Sequence, residues 1–578
     1  MRPAARPGQG LQARLVATIL LAVMIGMLGV TWATQHAFEE FLRPELQRKA
    51  EAVGGSIGEL VGKALDHGLA LPELVGVRAH LDEVRREHGE LAWLALRDDA
   101  GIVLFDSGRA EDARGVEVPI LRQGRRVGAV EAQVGAAYIR HILLESALDL
   151  GVVFVVAIFL TRELLHTIIN AGAGLRTAAP DGAAVLARLR LPLFLFMLAE
   201  ELTRAFLPGY ARALTPAGSA LSPDMLAGLP IVVFMLVVAL GQPVLATWSE
   251  RVGPRRVLLR GAMLGVAGLA GAAQASGIVA FIAWRGLCGL GYGMVFVAGQ
   301  SLVLAHTGAS ERTRGFALFV GAIMAAAVCG PPIGGMLADH VGARAGFAAA
   351  AVIAAAAWLA VRGVPRDAVD RPANATVAPT PRDFVRVFEQ GRFLWVTALA
   401  ALPAKLILAG SVFYLVPLYV VASGAPPSVA GRAMMLYAMM LVLVLPHATR
   451  WVERGVPLAR MVGAGLCLSA LGGFALVAGH GVLPVYLVTA LLGLGQGLSI
   501  AAQSSLLAQV CAAEIAAHGS GPVFGAYRLV ERLGNASGPL LAGALAMLVG
   551  PASAFVAMAA LILGCGLCFL LLAGKAAR

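Results

Sequence analysis

Ionisable residues inside apolar runs mark where this chain can do chemistry. Glu200, Glu201 and Arg204 lie in FLFMLAEELTRAFLPGY, with Glu200 and Arg204 four apart and so on one helical face. Lys405 lies in ALPAKLILAGSVFYLVPLY, and Arg528, Glu531 and Arg532 lie in GAYRLVERLGNASG. A charge in a lipid-surrounded helix is costly unless it faces water or a partner, so such residues mark solute and ion paths. Glu200 and Glu201 are the candidate proton carriers among them. For Arg528, Glu531 and Arg532 a structural ion pair near a helix end is an equal alternative.

The elements that must hold these residues are membrane helices. The 578 residues are 58% hydrophobic and 14% charged, more apolar and less charged than soluble domains. From Leu191 onward, apolar segments begin near Leu191, Asp224, Val257, Ile278, Gly315, Arg344, Phe393, Ser428, Leu458, Val482, Ser520 and Pro551. Each is close to the roughly 20 residues that a bilayer crossing needs. The polar break from Arg362 to Arg392 divides them into a first half, 191–362, and a second, 393–578, with 363–392 as a cytoplasmic linker. The net charge of +11 falls in short loops between apolar runs, which reads as a topology signal and not as a nucleic-acid surface. The six cysteines lie in or beside apolar runs, and Cys565-x-x-Cys568 has no histidine or carboxylate neighbour, so packing is expected there and neither a disulfide framework nor a metal. No phosphate loop of the G-x-x-x-x-G-K-[ST] type occurs. Neither an enzyme nor a bound cofactor is expected.

Two further apolar runs precede this body, Leu15 to Ala33 within 1–34 and Leu143 to Leu160 within 143–161. Arg2, Arg6 and Arg14 flank the first, and Arg162, His166, Arg176, Arg188 and Arg190 follow the second. Positive flanks stay in the cytoplasm, which places 35–142 outside, 162–190 inside as a linker, and both termini inside. A cleaved signal peptide is the alternative for the first run, with the same exported region. That region opens with a long amphipathic stretch, then LAWLALRDDAGIVLFDSG, two apolar runs around an Asp98–Gly101 turn, and then GVEVPIL and VGAVEAQV around a turn at Arg122 to Arg126. A helix followed by hairpins between two membrane spans resembles the Cache group of extracytoplasmic sensors, related to PAS folds. The resemblance implies a small-molecule ligand, with Trp93, Arg97 and Asp106 as candidate contacts; strand packing and turn solvation are the competing roles for each.

The two halves of the body resemble each other. WSERVGPRR at Trp248 faces WVERGVPLAR at Trp451, GLGYG at Gly289 faces GLGQG at Gly493, and Gly330-Pro331 faces Gly538-Pro539, offsets of 203, 204 and 208. Matches in one order at nearly one spacing indicate the internal duplication on which many transporters are built. The residues are also similar to signatures of the major facilitator superfamily. ATWSERVGPRRVL resembles its loop G-x-x-x-D-R-x-G-R-R, with Ala246 in place of glycine, Glu250 in place of aspartate and Pro254 intruding. RGLCGLGYG, from Arg285, is similar to its fourth-helix signature. Gly321, Gly330, Pro331, Gly334 and Gly335 match the fifth-helix antiporter pattern G-x8-G-P-x2-G-G.

The resemblance implies a twelve-helix fold of two six-helix halves, here with a small α+β domain between two extra helices, in the inner cell membrane. It implies alternating access without nucleotide hydrolysis, a small-molecule substrate, protons as coupling ion and, from the antiporter pattern, export. Glu250, Arg251, Gly253, Arg255 and Arg256 would form a conformational switch, and the glycines of the fifth helix would seal it against the eleventh. An uptake carrier, or a sensory receptor with a transport-inactive body, remains the alternative.

Overall fold

The computed structural model describes residues 43–110, 115–122, 125–174, 182–216, 221–307, 312–364, 386–479, 481–518 and 520–576, with scattered positions elsewhere. The first apolar run and most of the central linker lie outside the described residues. The chain forms two compact units, Met1–Ile158 and Phe159–Arg578.

In the first unit, helices α1 (Arg43–Asp66) and α2 (Val77–Glu87) precede strands β1 (Leu91–Asp98), β2 (Val103–Gly108), β3 (Val116–Arg122) and β4 (Arg125–Val134). The strands pair antiparallel in the order β2-β1-β4-β3. Alternation sends Leu94, Leu96, Val130 and Ala132 to one face, where they bury with Ile57, Val61 and Leu65 of α1 and Leu81 of α2. The β1–β2 turn falls at Asp98–Gly101, as the sequence predicts. Gly101 takes φ +84°, and the Ile102 amide donates to Asp98 Oδ1 at 2.7 Å. Helix α3 (Ala136–Gly174) follows β4.

The second unit is a helix bundle. Its first half contains α4 (Gly182–Leu202), the short α5 (Leu207–Ala213), α6 (Pro223–Val252), α7 (Pro254–Gln274), α8 (Ile278–His306), α9 (Arg312–Val341) and α10 (Ala343–Val361). The second contains α11 (Gly391–Ala422), α12 (Pro427–Glu453), α13 (Leu458–Val477), α14 (Val482–Val510), the short α15 (Ala512–His518), α16 (Ser520–Val549) and α17 (Pro551–Ala576). Among the described residues eleven helices, α3 included, are long and apolar enough to cross a membrane. The other two long bundle helices, α4 and α16, carry Glu200 and Glu201, and Arg528, Glu531 and Arg532. Helix α11 contains π-helical turns at Thr397–Ala401 and Leu408–Leu415, around the segment that holds Lys405.

Duplication shows in the backbone contacts between halves. A Cβ at Gly228 of α6 would lie 3.4 Å from the Pro539 carbonyl oxygen of α16, and one at Gly431 of α12 would lie 2.5 Å from the Pro331 carbonyl oxygen of α9. Small residues let these backbones touch. The fifth-helix glycines have partners other than the eleventh helix. Gly330 and Gly334 of α9 press on Glu201 and Leu202 of α4, and Gly335 presses on Pro427 and Ser428 of α12. Helix α16 meets α6 and α11 instead, its Gly538 against Leu406 and Gly410. The expectation failed because glycine content marks a close contact without naming its partner.

The seam between halves is closed at one end. There the Ser428 amide donates to Asp339 Oδ2 at 3.0 Å and the Tyr414 hydroxyl donates to the Asp224 carbonyl. Toward the end that carries the Trp248–Arg256 loop, a cavity of about 300 Å³ lies among α3, α4, α9 and α12, lined by Phe159, Glu163, Arg190, Gly321, Met324 and Leu445.

Candidate functional site

Helix α4 ends at Leu202, and the backbone turns before α5 begins. This break corrects the expected geometry of the first acidic cluster. Arg204 lies in the turn and pairs with Glu201 at 2.8 Å, while Glu200 reaches Arg285 of α8, with Nη1 to Oε2 at 3.2 Å. Both side chains of the Glu200–Arg285 pair are about 95% removed from solvent, at 3% and 5% exposure. Each keeps an unfilled position, since Glu200 Oε1 and Arg285 Nε have no hydrogen-bond partner. The pair borders a space of about 20 Å³ lined also by Arg204, Ile231, Phe234, Met235 and Phe413. That is room for roughly one water, and not for a solute. Arg285 stacks over Phe234 at 4.7 Å and Arg204 over Phe413 at 4.1 Å.

In the second half, Lys405 Nζ lies 3.3 Å from Glu531 Oε1, linking α11 to α16. Glu531 is thus paired across helices and not with its neighbours Arg528 and Arg532. Arg532 reaches across to the first half, over the Phe296 ring at 5.5 Å, and Arg528 is exposed. Phe234, Tyr292, Phe296 and Phe319 form a continuous aromatic row, with neighbouring ring centroids 5.3 to 5.9 Å apart.

The switch signature lies at the end of α6 away from Asp224. Gly253, at φ +97°, turns the chain between α6 and α7. Arg255 caps the end of α10 by donating to the Val364 carbonyl at 2.8 Å, and Arg256 donates to the Val252 carbonyl at 3.3 Å. Glu250 and Arg251 are exposed, and Glu250 has no ion pair among the described residues. Nearby, Arg190 of α4 makes a bidentate pair with Glu163 of α3 at 2.7 and 2.6 Å, both buried. A Cβ on Gly321 would stand 3.6 Å from that guanidinium.

A family profile for the Major Facilitator Superfamily matches residues 192–530. The chain belongs to the major facilitator superfamily. It is 28% identical over 391 residues to the multidrug resistance protein MdtG of Yersinia enterocolitica, covering 64% of this chain and 89% of that one. Its fold is similar to a bacterial homologue of the human lysosomal transporter Spinster in an inward-facing and occupied conformation, at TM-score 0.56 and 14% identity over 69% of this chain and 98% of that one. It is also similar to a peptide transporter, POT, in complex with sulfate, at TM-score 0.55 and 18% identity over 69% and 96%.

In this facilitator the sequence signals converge only in part. Glu200, Arg204 and Arg285 share one cavity wall, Lys405 and Glu531 form a separate pair, and Arg528 stands apart. Sequence reasoning missed Phe234, Phe413 and the row through Tyr292 and Phe296, because aromatics in an apolar helix look like ordinary packing. It also missed the Glu163–Arg190 pair, whose one signal was a carboxylate just beyond an apolar run with a basic flank. In the first unit, Arg97 pairs with Glu131 at 2.7 Å and lies over the Trp93 ring at 5.6 Å, on the sheet face opposite α1. Asp106 pairs instead with Arg78 at 3.1 Å.

Proposed function

We propose that this facilitator exchanges protons for a small organic solute by alternating access, in the direction of export, with Glu200 as the proton site. The buried Glu200–Arg285 pair beside a water-sized space carries this reading. A carboxylate with one free oxygen can accept a proton from a single water. Once neutral it no longer holds Arg285, whose guanidinium keeps only its stacking on Phe234. Loss of a buried partner leaves a charge uncompensated, at a cost of about 3 to 5 kcal/mol, enough to shift a balance between two bundle states.

The seam closed at Asp339–Ser428 describes one of those states. Arginines crowd the opposite end, at Arg251, Arg255 and Arg256, which supports placing that end in the cytoplasm. On that orientation the Met1–Ile158 unit is outside. Its antiparallel sheet under α1, with Trp93 and Arg97 adjacent on the other face, supports a Cache-like sensing role, with Asp106 as a contact only if Arg78 releases it. The similarity to a multidrug resistance protein favours export over uptake.

Purified protein in proteoliposomes with an imposed proton gradient tests the proposal. Solute should move against the proton flow in the wild type. Solute accumulation on the proton-receiving side would overturn the export direction, and no coupled movement would favour a transport-inactive receptor.

A further inference from the structure

The bundle core holds more cations than its own carboxylates can match. Arg285, Arg204 and Lys405 are each paired, with Glu200, Glu201 and Glu531. Arg532 is left over, half-buried, with no carboxylate within ion-pair distance among the described residues. Its neighbour in sequence, Glu531, points about 100° away around the helix toward Lys405. A cation held between membrane helices calls for a counter-charge, and the described residues supply none. Arg528 lies one helical turn earlier on the same face, exposed and with no ion pair among the described residues. Together the two arginines form a basic track along α16.

The surroundings of Arg532 are aromatic. Its guanidinium lies over Phe296, which stacks on Tyr292 at 5.9 Å and meets Phe319 edge-on at 5.3 Å. Stacking occupies the guanidinium face and leaves its edge N–H groups free. A planar fork of N–H donors matches a carboxylate or sulfonate through two parallel hydrogen bonds. An aromatic row accepts a flat ring beside it.

We infer that the solute is an organic anion with a planar apolar part, its acidic group held by Arg532 and its ring laid against Phe296 and Tyr292. The inference rests on the transporter reading and names its substrate class. The water-sized space at Glu200 is too small for a solute, so the anion and the proton occupy separate sites. Outward anion and inward proton move charge in the same electrical sense, so a membrane potential negative on the cytoplasmic side adds to the drive.

The test uses three probes of one shape: 1-naphthoate, its neutral amide and a naphthyl-trimethylammonium. Binding to the full chain in detergent is read by thermal shift and by competition, and movement is read in proteoliposomes. Naphthoate should bind wild type best, and Arg532→Gln should weaken it about tenfold to a hundredfold, the range for hydrogen bonds to a charged group. Arg532→Lys should retain part of the affinity, and Arg528→Gln should lose only a few-fold. The wild-type ranking of the three probes decides the matter even if a variant fails to fold. Preference for the cation, or naphthoate affinity unchanged by Arg532→Gln, would overturn the inference. Cation movement driven by protons would do the same while leaving the transporter reading intact. Arg532-dependent naphthoate binding without any movement would support the anion site and count against transport.

Discussion

The two halves of the bundle carry different charges on the same backbone plan. Gly228 meets the Pro539 carbonyl and Gly431 meets the Pro331 carbonyl, a pair of contacts related by the internal repeat. The charges do not follow. Position 403, which corresponds to Glu200 at the 203-residue offset, is Pro403, and the place of Arg285 falls at Val488 and Thr489. The first half buries a carboxylate with an arginine beside room for one water, and the second pairs Lys405 with Glu531 and leaves Arg532 facing the other half. Packing is what both halves need to rock against each other, so the repeat retains it. Charge is not retained between the halves, and on the proposed reading it divides into a proton site in the first and an anion site in the second.

The sharpest way to break this comparison is to neutralise one site in each half. Glu200→Gln should reduce proton-driven solute movement to background while solute binding persists. Lys405→Gln should cost only a few-fold in rate, since its pair with Glu531 is partly solvated at 16% and 15% exposure. Equal losses in initial-rate assays would remove the distinction between halves.

Stability separates the halves next. Arg190 of α4 in the first half forms a buried pair with Glu163 of α3, and the position 203 residues after Arg190 is Phe393, wholly buried. Glu163→Arg or Arg190→Glu alone should destabilise the protein by about 3 to 5 kcal/mol, and the double exchange should recover much of the loss. Thermal unfolding in detergent reads both. No recovery in the double variant would mean that the surroundings, and not the pair, set the stability.

Gly334→Leu probes the closest backbone approach of the first half. Its Cβ would overlap the Leu202 carbonyl oxygen, next to the two glutamates, whereas the corresponding Ala542 of the second half already carries a Cβ. Forcing α4 and α9 apart should cost about 1 to 3 kcal/mol and open a wet gap. Insertion should survive, and a several-fold rise in proton leak without solute should appear in a pH-dye assay. Tight vesicles from this variant would show that the contact does not guard the proton path.

The smallest effect lies outside the bundle and serves as its control. Glu90 is buried, which by itself would raise its pKa, but the hydrogen bond from Lys49 at 2.7 Å, its own backbone, and the charges of Lys49 and His88 hold it below the usual value of 4.5. A depressed carboxylate stabilises the fold above about pH 4.5 and loses that contribution as pH falls through its folded value. Acid unfolding of the Met1–Ile158 unit should therefore shift to higher pH in Glu90→Gln, by a modest amount, with proton-coupled transport at neutral pH unchanged. An unshifted acid transition would remove Glu90 as its source.

Much of the bundle was legible in the sequence because membrane helices announce themselves by length and apolarity. The starts at Ile278, Leu458, Val482, Ser520 and Pro551 coincide with helices of the fold. The site was less legible, for two physical reasons. Helical spacing pairs Glu200 with Arg204 only while the helix continues, and α4 stops at Leu202, which hands Arg204 to Glu201 and Glu200 to Arg285. Glycine patterns report that something comes close, and the identity of the partner depends on how helices far apart in the chain are arranged. The π-helical turns around Lys405 have no sequence signature that periodicity could reveal, yet they lie where α11 presents Phe413 to the cavity.

The division between a proton half and an anion half is tested most directly by proton movement in proteoliposomes, triggered by 1-naphthoate and followed with a trapped pH dye. Wild type should show naphthoate-stimulated proton flux. Glu200→Gln should bind naphthoate and move no protons, and Arg532→Gln should lose the stimulation. Naphthoate-driven proton flux at the wild-type rate in Glu200→Gln, or undiminished stimulation in Arg532→Gln, would contradict it.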